Sequence, residues 1–167
     1  MTMVAQSERM TMTRHTDPPE LIMERIFDAW RALVWRAYTE PERVARWWAP
    51  TGWTTPVCTM DVRPGGVWHY CFRGPNGEEA WGKATYLEIV KPERIVYTDG
   101  FSDAEGNLNE QLPTSQVTVA FTERDGATTI TCRIRFASVA DLDTTLAMGM
   151  VEGFGQTWDH LAAELAA

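Results

Sequence analysis

The sequence lacks several features that would assign a function directly. It contains no stretch of about 18 apolar residues, so we expect no membrane-spanning helix and no membrane partner. It has no run of lysine or arginine and its formal net charge is -8, which argues against nucleic acid as a partner. Residues 1–19 lack the apolar central region of a signal peptide, and the sequence therefore predicts a cytoplasmic protein.

Signatures of catalysis, metal binding and cofactor binding are also missing. Cys58, Cys71 and Cys132 are an odd number at wide spacing and form no CxxC pair, so they indicate neither zinc nor a redox motif. We interpret them as buried free thiols, and pairing of two of them is the alternative if the fold brings them together. No nucleophile elbow, Walker loop, dinucleotide fingerprint or zinc-helix motif occurs, so we predict no cofactor and no metal.

Tryptophan, in contrast, is abundant. The chain has eight tryptophans in 167 residues, and a cluster of such large rings is expected either in a core or around an apolar ligand. The hydrophobic fraction of 44% is normal for a globular protein. We expect a single domain over residues 19–167, preceded by a disordered tail over residues 1–18, which are polar and without period.

The first part of the predicted domain combines one strand with two short helices. Residues 21–27 form an apolar segment that predicts the strand, and Asp28 is placed to cap a helix over residues 30–38. The T-x-x-E pattern of residues 39–42 predicts a capping box for the second helix, which Pro50 ends.

From residue 54 onward, apolar residues alternate with polar ones and predict six antiparallel strands. Hairpin turns are indicated at Asn76-Gly77 and Asp125-Gly126. Apolar residues then recur every three or four positions and predict one long helix over residues 139–165. The strands are predicted at residues 54–63, 67–73, 79–90, 94–101, 116–123 and 128–136. The predicted class is α+β, with six to seven strands bent around the C-terminal helix.

This order of elements, together with several motifs, resembles the START/birch-pollen-allergen-like (SRPBCC) superfamily, the helix-grip fold. Within it, the chain is similar to the branch named after the activator of heat-shock-protein ATPase. The resemblance covers the chain from about Leu21 to its end. The motifs that carry it are Phe27-Asp28-Ala29, Trp35-Arg36-Ala37-Tyr38-Thr39-Glu40-Pro41-Glu42, Ala45-Arg46-Trp47-Trp48-Ala49-Pro50, Met60-Asp61-Val62-Arg63-Pro64-Gly65-Gly66, Arg73-Gly74-Pro75-Asn76-Gly77, Pro92-Glu93-Arg94-Ile95-Val96-Tyr97, Met148-Gly149-Met150 and Glu152-Gly153.

The resemblance implies a cavity between the sheet and the C-terminal helix that can hold a hydrophobic small molecule. It places the cavity mouth near Trp47, Trp48 and Trp53. The other candidate ligand-binding residues are aromatic strand residues and residues of the helix, and ordinary core packing is the alternative for each ring. They are Trp68, Tyr70, Trp81, Phe121, Gly149, Met150, Gly153 and Phe154.

Glycines in the predicted long helix need a reason, because each costs about 1 kcal/mol relative to alanine. Gly149 and Gly153 lie four residues apart, and thus on one face, and Gly155 follows. One hypothesis is that Gly149 and Gly153 leave space for a ligand. The alternative is close packing on the sheet, or a kink that fits the helix to the bent sheet.

Three functions follow as hypotheses. The first is binding of a hydrophobic small molecule without catalysis. The second is a cyclase- or hydrolase-like enzyme that uses His69 or a cavity carboxylate, for which Asp99, Glu88 and Glu152 are candidates. The third, suggested by the branch name, is a chaperone-regulating or stress-related interaction domain. A homodimer is also expected, since a tryptophan-rich rim can serve as an interface.

Overall fold

The chain folds around one antiparallel sheet. We describe it from a computed structural model, which defines residues 10–167 in full and the backbone of residues 2–5. The strands are β1 (Thr2–Ala5), β2 (Met10–Thr16), β3 (Pro19–Phe27), β4 (Thr54–Met60), β5 (Val67–Arg73), β6 (Glu79–Val90), β7 (Arg94–Ser102), β8 (Ser115–Arg124) and β9 (Ala127–Phe136). The helices are α1 (Arg31–Thr39), α2 (Pro41–Trp47), α3 (Val139–Ala147) and α4 (Met150–Ala166).

The strands lie in the order β1-β2-β3-β9-β8-β7-β6-β5-β4. Each strand therefore pairs with its neighbour in sequence, except that β3 pairs with β9. The α+β class and the helix-grip arrangement predicted from the sequence are confirmed. Within the described residues the sheet has nine strands, somewhat more than the six to seven predicted.

The core lies between the sheet and α4, with α1 and α2 closing one end. Trp158 of α4 is fully buried, its ring meets Phe27 edge-on at 5.6 Å between centroids, and its indole N–H donates to the Tyr38 hydroxyl at 2.9 Å. A buried indole N–H needs such a partner, so this bond connects α4 to α1 in one geometry. On β9, Ile130, Cys132, Ile134 and Phe136 are buried, as the alternation predicts.

The disordered tail predicted over residues 1–18 is wrong for residues 2–5 and 10–16, which form β1 and β2. The rest of that prediction falls partly on residues 1 and 6–9, which lie outside the described residues. Met10 and Met12 are buried on β2, and Thr11 between them is exposed. The polar composition of this segment suggested disorder. In the structure, antiparallel pairing with β3 gives the backbone N–H and C=O groups of β2 their hydrogen-bond partners.

The predicted helix caps are also wrong in detail. Trp30, rather than Asp28, is the N-cap of α1. Thr39 is the last residue of α1, and its hydroxyl donates to the Trp35 carbonyl at 2.8 Å instead of capping α2. The second helix begins at Pro41, a residue favoured at the first helical position because its missing N–H needs no partner there.

The C-terminal segment is two helices rather than the single long helix predicted. α3 ends at Ala147 and α4 begins at Met150, with Gly149 between them at φ +80°. That backbone region disfavours residues with a Cβ, and glycine occupies it at no steric cost. The break redirects the chain, so that α3 contacts β3 and β9 whereas α4 contacts α1 and α2.

Candidate functional site

A cavity of about 410 Å³ lies between the inner face of the sheet and the C-terminal helices. Its size falls in the range of small-molecule sites, roughly 300–1,000 Å³. The lining is mainly apolar and aromatic. It includes Trp48 after α2; Tyr70 and Phe72 of β5; Tyr97, Asp99 and Phe101 of β7; Val117 of β8; Ile134 and Phe136 of β9; and Met150, Gly153, Phe154 and Thr157 of α4.

Phe101 at the end of β7 and Met148 at the junction of α3 with α4 border the cavity and are 37% and 49% exposed, so we infer that it opens there. Of the three residues predicted at the mouth, Trp48 also lines the cavity, and the other two do not. Trp47 is fully buried in the core, and Trp53 borders a separate depression beside His160.

A glycine on β6 shapes the polar part of the cavity. Gly82 lies directly opposite Tyr70 in the β5–β6 register. A Cβ on Gly82 would come within 2.3 Å of the Tyr70 ring, so no larger residue fits without moving that ring. The tyrosine therefore lies across β6, and its hydroxyl reaches the Asp99 carboxylate on β7, with O···O distances of 3.2 and 3.4 Å.

Asp99 is the ionisable carboxyl group of the cavity. Burial raises its pKa to about 7, against which the hydrogen bonds from Tyr70 and the Gly100 backbone act in the opposite direction. Asp99 is partly accessible because it borders the cavity. At neutral pH, both its charged and its neutral form are populated.

The tyrosines beside Asp99 keep their protons. Burial is the main cause that raises the pKa of Tyr70 and of Tyr97 well above the usual value, and the nearby Asp99 charge adds to it. Both hydroxyls are therefore uncharged at physiological pH, and that of Tyr70 donates to Asp99. The Trp48 indole N–H, which lies near the Tyr70 hydroxyl, is buried and has no hydrogen-bond partner among the described residues.

The three helix glycines differ in what surrounds them. A Cβ on Gly153 would meet no other atom within 4 Å, and this glycine lines the cavity. Gly149 forms the helix break described above. A Cβ on Gly155 would lie 3.5 Å from the Met10 side chain, an ordinary packing distance. The space hypothesis thus fits Gly153, and the kink alternative fits Gly149.

Comparison with known proteins identifies the family. Residues 28–166 match the family described as activator of Hsp90 ATPase homolog 1-like protein. The chain belongs to this family. A search of proteins with curated functions found no match.

Solved structures agree with this assignment. Protein Ms6760 from Mycobacterium smegmatis is 31% identical, with a TM-score of 0.86 over 92% of this chain and 94% of that one. A protein from Arthrobacter aurescens, solved by NMR, is 27% identical, with a TM-score of 0.86 over 93% and 90%. CalU16 from Micromonospora echinospora, at 21% identity and a TM-score of 0.65 over 96% and 87%, shares the fold.

Seven of the eleven predicted ligand-binding residues border the cavity. They are Trp48, Tyr70, Trp81, Gly149, Met150, Gly153 and Phe154. The other four do not line it. Trp47, Trp68 and Phe121 are core residues, packed against Tyr38, Trp48 and Trp35 respectively, and Trp53 is at the separate depression. Alternation along a strand shows which side chains share a face of the sheet, but not which of them line the cavity and which pack in the adjacent core.

Of the candidate acid–base residues, the structure places only Asp99 among those that line the described cavity. His69 lies on the face of β5 opposite to Tyr70, where its ring stacks on Trp81 and Nε2 is 3.0 Å from the Asp103 carbonyl oxygen. Glu88 pairs with Arg94 on the surface, and Glu152 is exposed.

The sequence also suggests Phe72 as a lining residue, because residues two apart on a strand share a face and Phe72 follows Tyr70 at that spacing. Phe72 does border the cavity. Tyr97 was missing from the predicted set. It lies two residues before Asp99, so strand alternation could have found it once Asp99 was known to line the cavity.

Within the described part of the chain, no helix is long and apolar enough to cross a membrane. The same residues contain no group of three or more histidine, cysteine, aspartate or glutamate side chains that could hold a metal ion. Cys58, Cys71 and Cys132 are free thiols.

Proposed function

We propose that this protein binds a hydrophobic small molecule in the cavity between its sheet and α4. The apolar cavity of about 410 Å³ is the observation that supports the proposal. A cavity of this size with apolar walls and a few polar groups is typical of sites that hold small molecules.

The aromatic walls suggest a ligand that contains rings. Trp48, Tyr70 and Phe72 lie close together, with centroid separations of 5.7 Å between Trp48 and Tyr70 and 5.2 Å between Tyr70 and Phe72. Such surfaces contact flat apolar groups well, in stacked or edge-on arrangements. Phe101 and Met148 at the opening extend the apolar surface toward solvent.

Filling the cavity from the helix side tests the proposal. In Gly153→Leu, the new side chain enters open space from a helical backbone, so we expect the fold to be retained. Binding of a neutral aromatic probe, 1-ethylnaphthalene, is expected to fall at least roughly tenfold because the leucine occupies its volume. Naphthalene fluorescence on titration with protein measures the affinity.

The matched control places the same side chain outside the cavity. Thr11→Leu adds a leucine at an exposed position of β2, and this variant should bind the probe like the wild type. The proposal fails if 1-ethylnaphthalene does not bind the wild type, or if a folded Gly153→Leu variant binds it equally well.

The other two hypotheses gain less from the structure. Catalysis would depend on Asp99, since His69 lies outside the cavity. Regulation of a chaperone, which the family description suggests, stays a prediction because the described residues show no surface that identifies a partner. A homodimer also stays a prediction; of the three tryptophans predicted at the mouth, Trp47 and Trp48 are buried and Trp53 is partly exposed.

A further inference from the structure

We propose that the ligand is an aromatic amine, bound as its ammonium ion against the Asp99 carboxylate. This inference rests on the proposed function and specifies the chemistry of the ligand. Three features of the cavity support it: a carboxylate without a cation, the aromatic rings around it, and the charge of the whole chain.

The first feature is the missing cation. Among the described residues that line the cavity, none is a lysine, an arginine or a histidine. The hydrogen bonds to Asp99 come from the Tyr70 hydroxyl and from a backbone N–H, both of which are neutral. A carboxylate that loses much of its hydration in an apolar cavity is normally paired with a cation, because that loss is costly. An ammonium ion entering from the cavity would complete this pair.

The second feature is the set of aromatic rings. Tyr70 and Tyr97 lie next to Asp99, and Trp48 and Phe72 pack against Tyr70. A cation over an aromatic face within about 6 Å of its centroid is attracted by the ring. The same rings would also contact the apolar part of the ligand. A carboxylic acid or phosphate ligand, in contrast, would be repelled by Asp99.

The third feature is the net charge of -8, which favours the approach of cations over anions. This effect is weak beyond the Debye length at physiological salt, so it contributes to the rate of association more than to selectivity. Selectivity therefore has to come from Asp99 itself.

The other titratable groups that face Asp99 do not compete as charges. They are Tyr70 on β5, Tyr97 on β7 and Cys132 on β9, and burial raises the pKa of each. All three are uncharged at neutral pH. Of these groups, Asp99, whose pKa is about 7, is thus the one whose charge changes between pH 6 and pH 8. A probe amine that stays protonated in this range should bind more tightly as the pH rises.

A matched set of probes tests the inference: 1-naphthylmethylamine, 1-naphthylmethanol and 1-ethylnaphthalene. For the wild type at pH 8, we expect the amine to bind roughly 10- to 100-fold more tightly than the ethyl compound, as for a desolvated charge pair. This preference should shrink at pH 6. In Asp99→Asn, which keeps the shape of the side chain, the amine preference should disappear while 1-ethylnaphthalene still binds.

Two further variants exclude simpler explanations. Asp28→Asn makes the same chemical change at an exposed position, so it controls for the loss of one negative charge and should keep the amine preference. Tyr70→Phe removes a hydrogen bond that favours the Asp99 carboxylate. The pH at which the amine preference appears should therefore rise in that variant.

Equal binding of the amine and the ethyl compound by the wild type at pH 8 would overturn this inference and leave the proposed function standing. A preference that survives in Asp99→Asn would overturn it as well. If none of the three probes binds, the proposed function and the inference fall together.

Discussion

At the scale of the residue, Asp99 is held where its neutral form is favoured. Burial raises its pKa to about 7, whereas an aspartate in the unfolded chain ionises near its ordinary value of 3.8. The folded protein therefore holds a proton that the unfolded chain has lost between these two pH values. Because the unfolded state binds fewer protons in this window, stability falls as the pH rises through it.

Replacing Asp99 should consequently stabilise the ligand-free protein at high pH. We expect Asp99→Asn to raise the free energy of unfolding by roughly 1 to 3 kcal/mol at pH 8. This range is lower than the full pKa shift would give, because Asp99 borders the cavity and is partly accessible to water. The gain should be smaller at pH 4.5, where the folded wild type is already protonated. Urea unfolding at both pH values measures it. A gain that is absent at pH 8, or as large at pH 4.5, would contradict a buried carboxylate with a raised pKa.

At the scale of the element, two glycines of the same helix region should respond oppositely to alanine. Gly149→Ala places a Cβ at φ +80° and should lower the free energy of unfolding by about 1–2 kcal/mol. Gly153→Ala lies in the helical region with free space around it and should raise it by about 0.5–1 kcal/mol.

Urea unfolding of the two single variants gives both values, and each serves as the control for the other. Destabilisation by Gly153→Ala would mean that its space is filled by close packing. A neutral Gly149→Ala would mean that α3 and α4 can join into the single helix that the sequence pattern predicts.

The elements that the sequence predicted well are those with a strong local pattern. The alternation of Ile130, Cys132 and Ile134 identifies β9 without knowledge of its partners. The sequence offered a kink at the helix glycines only as one alternative, because apolar residues continue at helical spacing across Gly149. The contact between Tyr70 and Asp99 was not predictable in this way, since it crosses β6 and depends on which strands pair and on Gly82 between them.

At the scale of the whole molecule, the sheet extends beyond the part of the chain that matches the family. The match begins at residue 28, whereas β2 and β3 precede it and join the sheet through β9. An ion pair between Arg14 and Asp143, with an N···O distance of 2.7 Å, also links β2 to α3. The sequence did not indicate β2, because its short Met-Thr alternation becomes meaningful only when pairing with β3 buries one side.

If β2 is an integral part of the sheet, its buried side chains must contribute to stability. Met12 is 6% exposed, and Met12→Ala should lower the free energy of unfolding by about 2–4 kcal/mol through lost burial and the cavity left behind. The neighbouring Thr11 is exposed, and Thr11→Ala should change the free energy of unfolding by no more than about 0.5 kcal/mol. Urea unfolding of the 167-residue chain compares the two. Equal and negligible effects would show that residues 10–16 form the disordered tail that their composition suggests, since a segment that does not pack in the folded state cannot distinguish methionine from threonine.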